Sequence, residues 1–162
     1  MEGPLRIRQY VYFGLKSEAM SATAMASEIG LEPDQVLIRG SRKEDPPVPR
    51  AHAWKLVCED RGLTVDDQID DVVRRLLPAK DRILELVRRE HGPVPVLQVV
   101  RYFGDSEGEE DDNPDDERVF EGRRVILTKL SGQHHLLGWH LRRDVMELVM
   151  ELGAEIDFDE YG

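Results

Sequence analysis

The chain has 162 residues, 40% of them hydrophobic and 34% charged, and its formal net charge is −11 at pH 7. One globular domain is expected, because a typical domain has roughly 100 to 200 residues, and no stretch approaches the roughly 18 unbroken apolar residues of a membrane span. The negative charge disfavours binding to DNA or RNA, which depends on contacts of Lys and Arg with phosphates.

The first elements follow from a change in hydrophobic period. Leu5–Phe13 alternates apolar and polar residues, as a half-buried strand does. A helical period then begins after Ser21, a candidate N-cap, and ends at Gly30, which suits the left-handed position after a helix. Val36–Ile38 and His52–Glu59 predict two further strands, one before and one after a Pro-rich loop.

The middle of the chain predicts a long helix followed by a central strand. Thr64 is a candidate N-cap, apolar residues recur at helical spacing, and Pro78 breaks or kinks the helix before Gly92-Pro93 stops it. Val94–Phe103 is nearly all apolar and rich in valine, which is typical of a strand covered on both faces.

The C-terminal third predicts a hairpin, a helix and a short strand. Val125–Leu130 and His135–Leu141 each have the pattern of a strand, with a Ser-Gly-Gln turn between them. A helical stripe over Leu141–Leu152 ends at Gly153, and Ile156–Asp159 alternates again. The order of elements predicts an α+β fold, a two-layer sandwich in which helices pack on one face of a mainly antiparallel sheet.

Most of the net charge lies between Asp105 and Glu117, where nine residues are acidic and none is basic. Like charges at this density repel one another, so we expect an acidic flexible loop at about 105–117 within a single domain over residues 1–162. One role for the loop is to dock a basic protein, and another is weak divalent-cation binding. The docking role places the contact at Glu109, Glu110, Asp111 and Asp112.

Several short motifs along the chain carry a resemblance. They are Gly30-Leu31-Glu32-Pro33, Arg39-Gly40, Ala53-Trp54-Lys55-Leu56, the helix break at Pro78, and Leu152-Gly153-Ala154-Glu155-Ile156-Asp157-Phe158-Asp159-Glu160-Tyr161. In these motifs the chain resembles a bacterial family catalogued only as a domain of unknown function. The resemblance implies a small bacterial α+β domain and supplies no activity, substrate or cofactor.

Three histidines close together suggest a metal site, since imidazole is the commonest transition-metal ligand. His134 and His140 are the candidate ligands. On one extended strand they share a face but lie about 20 Å apart at roughly 3.3 Å per residue, while His135 points the other way. Only a sharp chain reversal would bring them together, so neither a metal nor another cofactor is expected.

Asp157 and Asp159 share one face of the last strand and lie about 7 Å apart along it. Such a pair could act as general acid and base. Carboxylates on the solvent-exposed face of an edge strand are also common without any catalytic role. The alternative function is therefore a small-molecule or metal-dependent enzyme that uses these aspartates with His134 and His140. It requires the last hairpin and the last strand to converge.

The polar face of the first strand carries residue types that are enriched in protein interfaces, namely Arg6, Arg8, Tyr10 and Tyr12. The chain has no recognised catalytic motif and no signal-peptide pattern. Its single cysteine, Cys58, is expected to pack in the core, and the lack of a disulfide fits the reducing cytoplasm. Our leading hypothesis is a non-catalytic cytoplasmic protein that binds another macromolecule through this stripe or the acidic loop. In one version of this hypothesis, the protein binds a basic toxin nuclease and neutralises it.

The same stripe predicts self-association. If helices cover only one side of the sheet, Tyr10 and Tyr12 form an exposed patch with neighbours such as Leu137 or Trp139, and the commonest contact for such a patch is a two-fold homodimer. The alternative is that the long broken helix and the Pro-rich loop cover this face, which would leave a monomer.

Overall fold

The computed structural model describes residues 4–111, 116–127 and 133–162. The strands among them are β1 (Arg6–Ser17), β2 (Gln35–Leu37), β3 (His52–Cys58), β4 (Val94–Phe103), β5 (Glu109–Glu110), β6 (Asp116–Phe120), β7 (Arg123–Leu127) and β8 (Glu155–Tyr161). The α-helices are α1 (Ala22–Ile29), α2 (Val65–Leu76), α3 (Lys80–Val87) and α4 (Arg143–Leu152), and a 3-10 turn over Leu77–Ala79 joins α2 to α3.

The main sheet is open and mainly antiparallel. Its strands lie in the order β2-β3-β1-β4-β8, in which β4 and β8 run parallel, and β5 pairs with the start of β1. Because β1 pairs with β3 on one side and β4 on the other, Tyr12 lies opposite both Val57 and Gln98. β6 and β7 form a separate two-stranded sheet.

The main core lies between this sheet and the helices. Val11 and Phe13 of β1 are buried against the apolar stripes of the helices. Trp54 is fully buried in the same layer, and its Nε1 donates a hydrogen bond to the Leu31 carbonyl at 3.0 Å. Cys58 is also buried there, as its predicted role in the core implies. This burial raises the pKa of its thiol. The predicted two-layer α+β sandwich with helices on one face is thus confirmed.

The helix ends confirm the predicted capping residues. Ser21 Oγ accepts a hydrogen bond from the Ala24 N–H at 3.1 Å, and Thr64 Oγ1 accepts one from the Asp67 N–H at 3.3 Å. Gly30 follows α1 with a φ of +65°, the left-handed conformation in which glycine is least strained. None of the described helices is both long and apolar enough to span a bilayer.

The hairpin predicted over Val125–Leu130 and His135–Leu141 is wrong. β7 pairs instead with β6, which precedes it, across a two-residue turn at Glu121 and Gly122 in which both residues have positive φ. The second predicted strand begins with a turn, and residues 128–132 lie outside the described residues. The acidic composition concealed β6, because Asp and Glu are depleted in strands.

Candidate functional site

One face of the main sheet carries no described helix. The strand registers define the residues of this open face. They are the even-numbered residues 8–16 of β1 and 94–102 of β4 and the odd-numbered residues 35–37 of β2, 53–57 of β3 and 155–161 of β8. Tyr12, Val57 and Val96 of this face are buried and form a small apolar cluster with the partly buried Tyr10, so Tyr12 is not exposed as we had expected. The broken helix, α2 and α3, packs on the opposite face instead of covering this one.

The open face holds every tyrosine of the chain, namely Tyr10, Tyr12, Tyr102 and Tyr161. The rings of Tyr102 and Tyr161 stack, with centroids 4.9 Å apart and an interplanar angle of 16°. The Arg8 guanidinium lies 4.1 Å from the Tyr102 centroid, and Lys55 Nζ lies 4.1 Å from that of Tyr12. These cation–π contacts hold the long side chains against the rings.

A hydrogen-bonded chain of side chains crosses the open face from β1 to β8. The Tyr12 hydroxyl donates to Gln98 Oε1 at 3.2 Å, and Gln98 Nε2 donates to Asp159 Oδ2 at 2.7 Å. Burial, reinforced by Tyr10 and the nearby carboxylates, raises the pKa of Tyr12 to about 12, so its hydroxyl stays a neutral donor at pH 7. One of the two predicted catalytic aspartates therefore accepts a hydrogen bond within a fixed network.

Charge is divided between the two edges of the open face. Lys16 and Lys55 lie on β1 and β3, whereas Glu155, Asp157 and Asp159 lie on β8 at the other edge. The open-face residues of β4 that separate these groups are uncharged. Burial, together with the nearby Lys16, lowers the pKa of Lys55. The open face thus has an acidic edge on β8 and a basic edge at Lys16 and Lys55, to which Glu59, just after β3 and close to Tyr10, adds one carboxylate.

The two predicted binding surfaces contact each other. Glu110 forms an ion pair with Arg6, and Asp105 Oδ2 accepts a hydrogen bond from Arg8 Nε at 2.8 Å. The described part of the acidic segment is therefore joined to β1 by ion pairs as well as by the β1–β5 ladder. Asp112 lies outside the described residues, and the flexible character of the loop at about 105–117 stays a prediction.

Asp111, His134 and His135 form a cluster in which one ligand atom of each lies within 4.8 Å of the others. The two imidazoles stack, with centroids 4.9 Å apart, because their segment is a turn and does not alternate as a strand would. His134 Nδ1 accepts the Leu136 N–H at 3.1 Å, so its Nε2 carries the proton and donates to the Glu109 carbonyl at 3.0 Å. Both ring nitrogens of His134 are thus engaged in hydrogen bonds, which anchor the turn to β5.

His140 belongs to a different cluster, on the helix side of the sheet. Its Nδ1 lies 2.7 Å from Asp66 Oδ2, and its backbone N–H donates to Asp66 Oδ1 at 2.8 Å. The two residues border a cleft of about 220 Å³ beside the first turn of α2. Asp157 and Asp159 lie on the open face, on the other side of the sheet from α2. The structure does not bring the predicted metal-binding and catalytic residues together.

Comparison with known protein families settles which family the chain represents. The family model described as Domain of unknown function (DUF4279) matches residues 7–121, more than two thirds of the chain. The chain belongs to the DUF4279 family. No curated protein and no solved structure matches it significantly. The resemblance to a family of unknown function is thus confirmed, whereas its bacterial origin stays a prediction and its C-terminal motif lies beyond the matched residues.

The DUF4279 match covers most of the open face but not all of it. It includes β3, β4 and nearly all of β1, and with them the basic edge and the tyrosines at positions 10, 12 and 102. It ends at residue 121, before β8 supplies Tyr161 and the acidic edge. The charge asymmetry of the open face therefore arises from a strand outside the matched residues.

Sequence reasoning missed the contribution of β4 to the open face of this DUF4279 domain. Gln98 and Tyr102 lie in a strand interpreted as apolar on both faces, although their even positions already separated them from the core residues of β4. Leu137 and Trp139, which we expected beside the tyrosines, do not contribute to it. Trp139 contacts Phe158 on the core side, with ring centroids 5.4 Å apart, and is packed against the main core.

Proposed function

We propose that this DUF4279 domain is a non-catalytic, cytoplasmic protein-binding module and that the open face is its contact surface. One observation carries the proposal: every tyrosine of the chain lies on the face of the main sheet that no described helix covers. Tyrosine is enriched in protein interfaces, where its ring supplies apolar area and its hydroxyl a hydrogen bond.

The rings are held in place in the absence of a partner. Tyr12 is only 8% exposed, and stacking fixes Tyr102 against Tyr161, which is itself 51% exposed. Side chains that are already ordered lose little rotamer entropy when a partner binds. This preorganisation supports a role in recognition, because a partner can bind these rings without first ordering them.

A protein is favoured over a nucleic acid as the partner. The β8 carboxylates of Glu155, Asp157 and Asp159 would lie against phosphates and repel them. The acidic segment is a weaker contact surface than the open face, because Asp105 and Glu110 already form ion pairs with arginines of β1. Neutralisation of a basic toxin through that segment is therefore not the version of the function that we propose.

Catalysis has less support than binding. His140 and the two aspartates of β8 lie on opposite sides of the sheet, and His134 uses both ring nitrogens in hydrogen bonds. Cys58 is buried, and its raised pKa keeps it a thiol. A nucleophilic cysteine needs the opposite shift, toward thiolate. A single buried thiol also agrees with a reducing compartment.

Site-specific photocrosslinking in cells that express the chain tests the proposal. A photoreactive phenylalanine derivative replaces Tyr161 on the open face in one variant and Met150, an 80% exposed residue of α4, in a matched control. We expect one defined protein adduct from position 161 and none from position 150. We also expect Tyr102→Ser to abolish the adduct, since it removes the stacking partner of the ring at 161.

Two results would contradict the proposal. Equal adducts from both positions would mean that the open face has no particular affinity for protein, and no adduct from position 161 would mean that it is not a contact surface. The melting temperature of each variant is measured alongside, so that loss of an adduct is not confused with loss of the fold.

A further inference from the structure

We infer that the partner of the open face is a second copy of this chain, related to the first by a two-fold axis that runs parallel to the strands. The inference rests on the proposed function and adds the identity and orientation of the partner. It follows from how charge is placed along the rows of residues that cross the sheet.

One row of the open face joins residues of opposite charge at its two ends. The registers place Lys55 of β3 beside Gly14 of β1, Gly14 beside Val96 of β4, and Val96 beside Glu155 of β8. The interior of the row is small and uncharged. The row therefore begins at the basic edge and ends at the acidic edge.

The direction of the two-fold axis decides which charges meet. An axis parallel to the strands reverses the order of the strands in the second copy, so β3 lies over β8 and Lys55 faces Glu155 of the other copy, twice per dimer. The same axis brings Glu59, which follows β3 near Tyr10, toward Asp159 of the other copy. An axis perpendicular to the strands would instead place β8 over β8, with carboxylates facing carboxylates. Like charges in an interface oppose association, and the perpendicular axis sets all three β8 carboxylates against one another, whereas the parallel axis opposes only Glu59 and Asp159. The parallel axis is therefore favoured.

The middle of the open face suits a partner sheet. Under the strand-parallel axis, β1 of one copy lies over β4 of the other, so Arg8 faces the Tyr102 ring of the second copy.

The area of the open face limits the strength of the dimer. The four strands β3, β1, β4 and β8 span about 19 Å at roughly 4.8 Å each, and Arg8 to Lys16 spans about 26 Å. The face therefore offers roughly 500 Å² per copy, about 1,000 Å² in total, which is near the lower limit for a specific interface. The dimer is expected to be weak and to dissociate on dilution.

Charge exchange between two variants tests the inference on the purified chain. Lys55→Glu places two acidic residues at the ends of the row, and Glu155→Lys places two basic ones there. Either variant alone would form a dimer with two repulsive contacts. A mixture restores both attractive contacts in a heterodimer, because each acidic end then meets a basic end of the other variant.

Sedimentation velocity over a concentration series measures the dissociation constants. We expect a concentration-dependent dimer for the wild type, dissociation at least about tenfold weaker for each variant alone, and recovery in the mixture to within a few fold of wild type. Lys80→Glu and Glu151→Lys are matched controls, because Lys80 and Glu151 form an ion pair on the helix side. Neither control is expected to change dimerisation. Circular dichroism confirms that each variant is folded.

Each outcome decides between the hypotheses. A wild-type chain that stays monomeric at high concentration overturns the inference, as does dimerisation that neither variant weakens or that the mixture does not restore. If the chain is monomeric but position 161 still crosslinks to a different protein, the proposed function stands and only the identity of the partner is wrong. If position 161 forms no adduct, the proposed function itself fails.

Discussion

The Tyr12 hydroxyl links the stability of the fold to alkaline pH. Burial raises its pKa from the ordinary value of 10.0 to about 12 in the folded chain. Because the folded state holds this proton more tightly than the unfolded state, the stabilisation is complete below pH 10.0 and is lost as the pH rises to about 12. We expect the free energy of unfolding to fall by about 2 kcal/mol over this interval, since one pKa unit corresponds to about 1.4 kcal/mol.

Tyr12→Phe is the matched control for this residue. The variant keeps the ring under Lys55 but has no hydroxyl to titrate, so its unfolding free energy should change less over the same interval. At neutral pH it should be about 1 kcal/mol less stable, because Gln98 Oε1 loses its donor. Urea unfolding of both chains in dilute solution measures the difference. Parallel curves for the two chains would show that Tyr12 does not ionise in this range.

At the scale of a single element, β5 depends on a close backbone approach at Gly108. A Cβ at this position would lie 2.8 Å from the Ile7 nitrogen and 2.9 Å from the Ile7 carbonyl carbon. Gly108→Ala should therefore push β5 away from β1 and break the Arg6–Glu110 ion pair. We expect faster amide hydrogen exchange in β5 and at the start of β1, with a stability loss of about 1 to 2 kcal/mol.

Gly138→Ala is the control for this change, because a Cβ at Gly138 meets no atom within 4 Å. The control should leave both stability and hydrogen exchange close to wild type. Unchanged exchange in β5 of the Gly108 variant would mean that β5 and β1 lie farther apart in solution than in this structure.

Local elements of this fold were predictable and non-local pairings were not. Ser21, Thr64 and Gly30 act within one or two turns of the helix they cap, so sequence spacing was enough to identify them. The parallel pairing of β4 with β8 joins residues about sixty positions apart, and no local pattern specifies it. For that reason Tyr10 and Tyr12 were identified as one stripe, whereas their proximity to Tyr102 and Tyr161 emerged only from the sheet.

The placement of the candidate histidines was unpredictable for a related reason. The expectation for His134 and His135 assumed an extended strand, in which neighbours point to opposite faces. The hydrogen bond from the Leu136 N–H to His134 Nδ1 closes a turn instead, and the two rings stack. The turn brings a ligand atom of each histidine within 4.8 Å of Asp111, a placement that no strand or helix period specifies.

For the whole molecule, two electrostatic effects oppose each other in the proposed dimer. Each copy carries a net charge of −11, so two copies repel at long range, while Lys55 and Glu155 attract across the interface. Salt weakens both effects, because the screening length falls from about 10 Å at 0.1 M to about 3 Å at 1 M. The salt dependence of the wild-type dimer alone therefore cannot separate the two.

A double variant with unchanged net charge isolates the local attraction. Lys55→Gln with Glu155→Gln removes one positive and one negative charge, so the variant keeps the −11 of the wild type and the same long-range repulsion. The difference in dissociation free energy between the two chains then reports the Lys55–Glu155 contacts. We expect the wild type to bind more tightly at low salt and the difference to approach zero at about 1 M, where close exposed pairs are screened. Sedimentation at several salt concentrations measures it, and a difference that is constant or absent would show that these residues do not meet in the dimer.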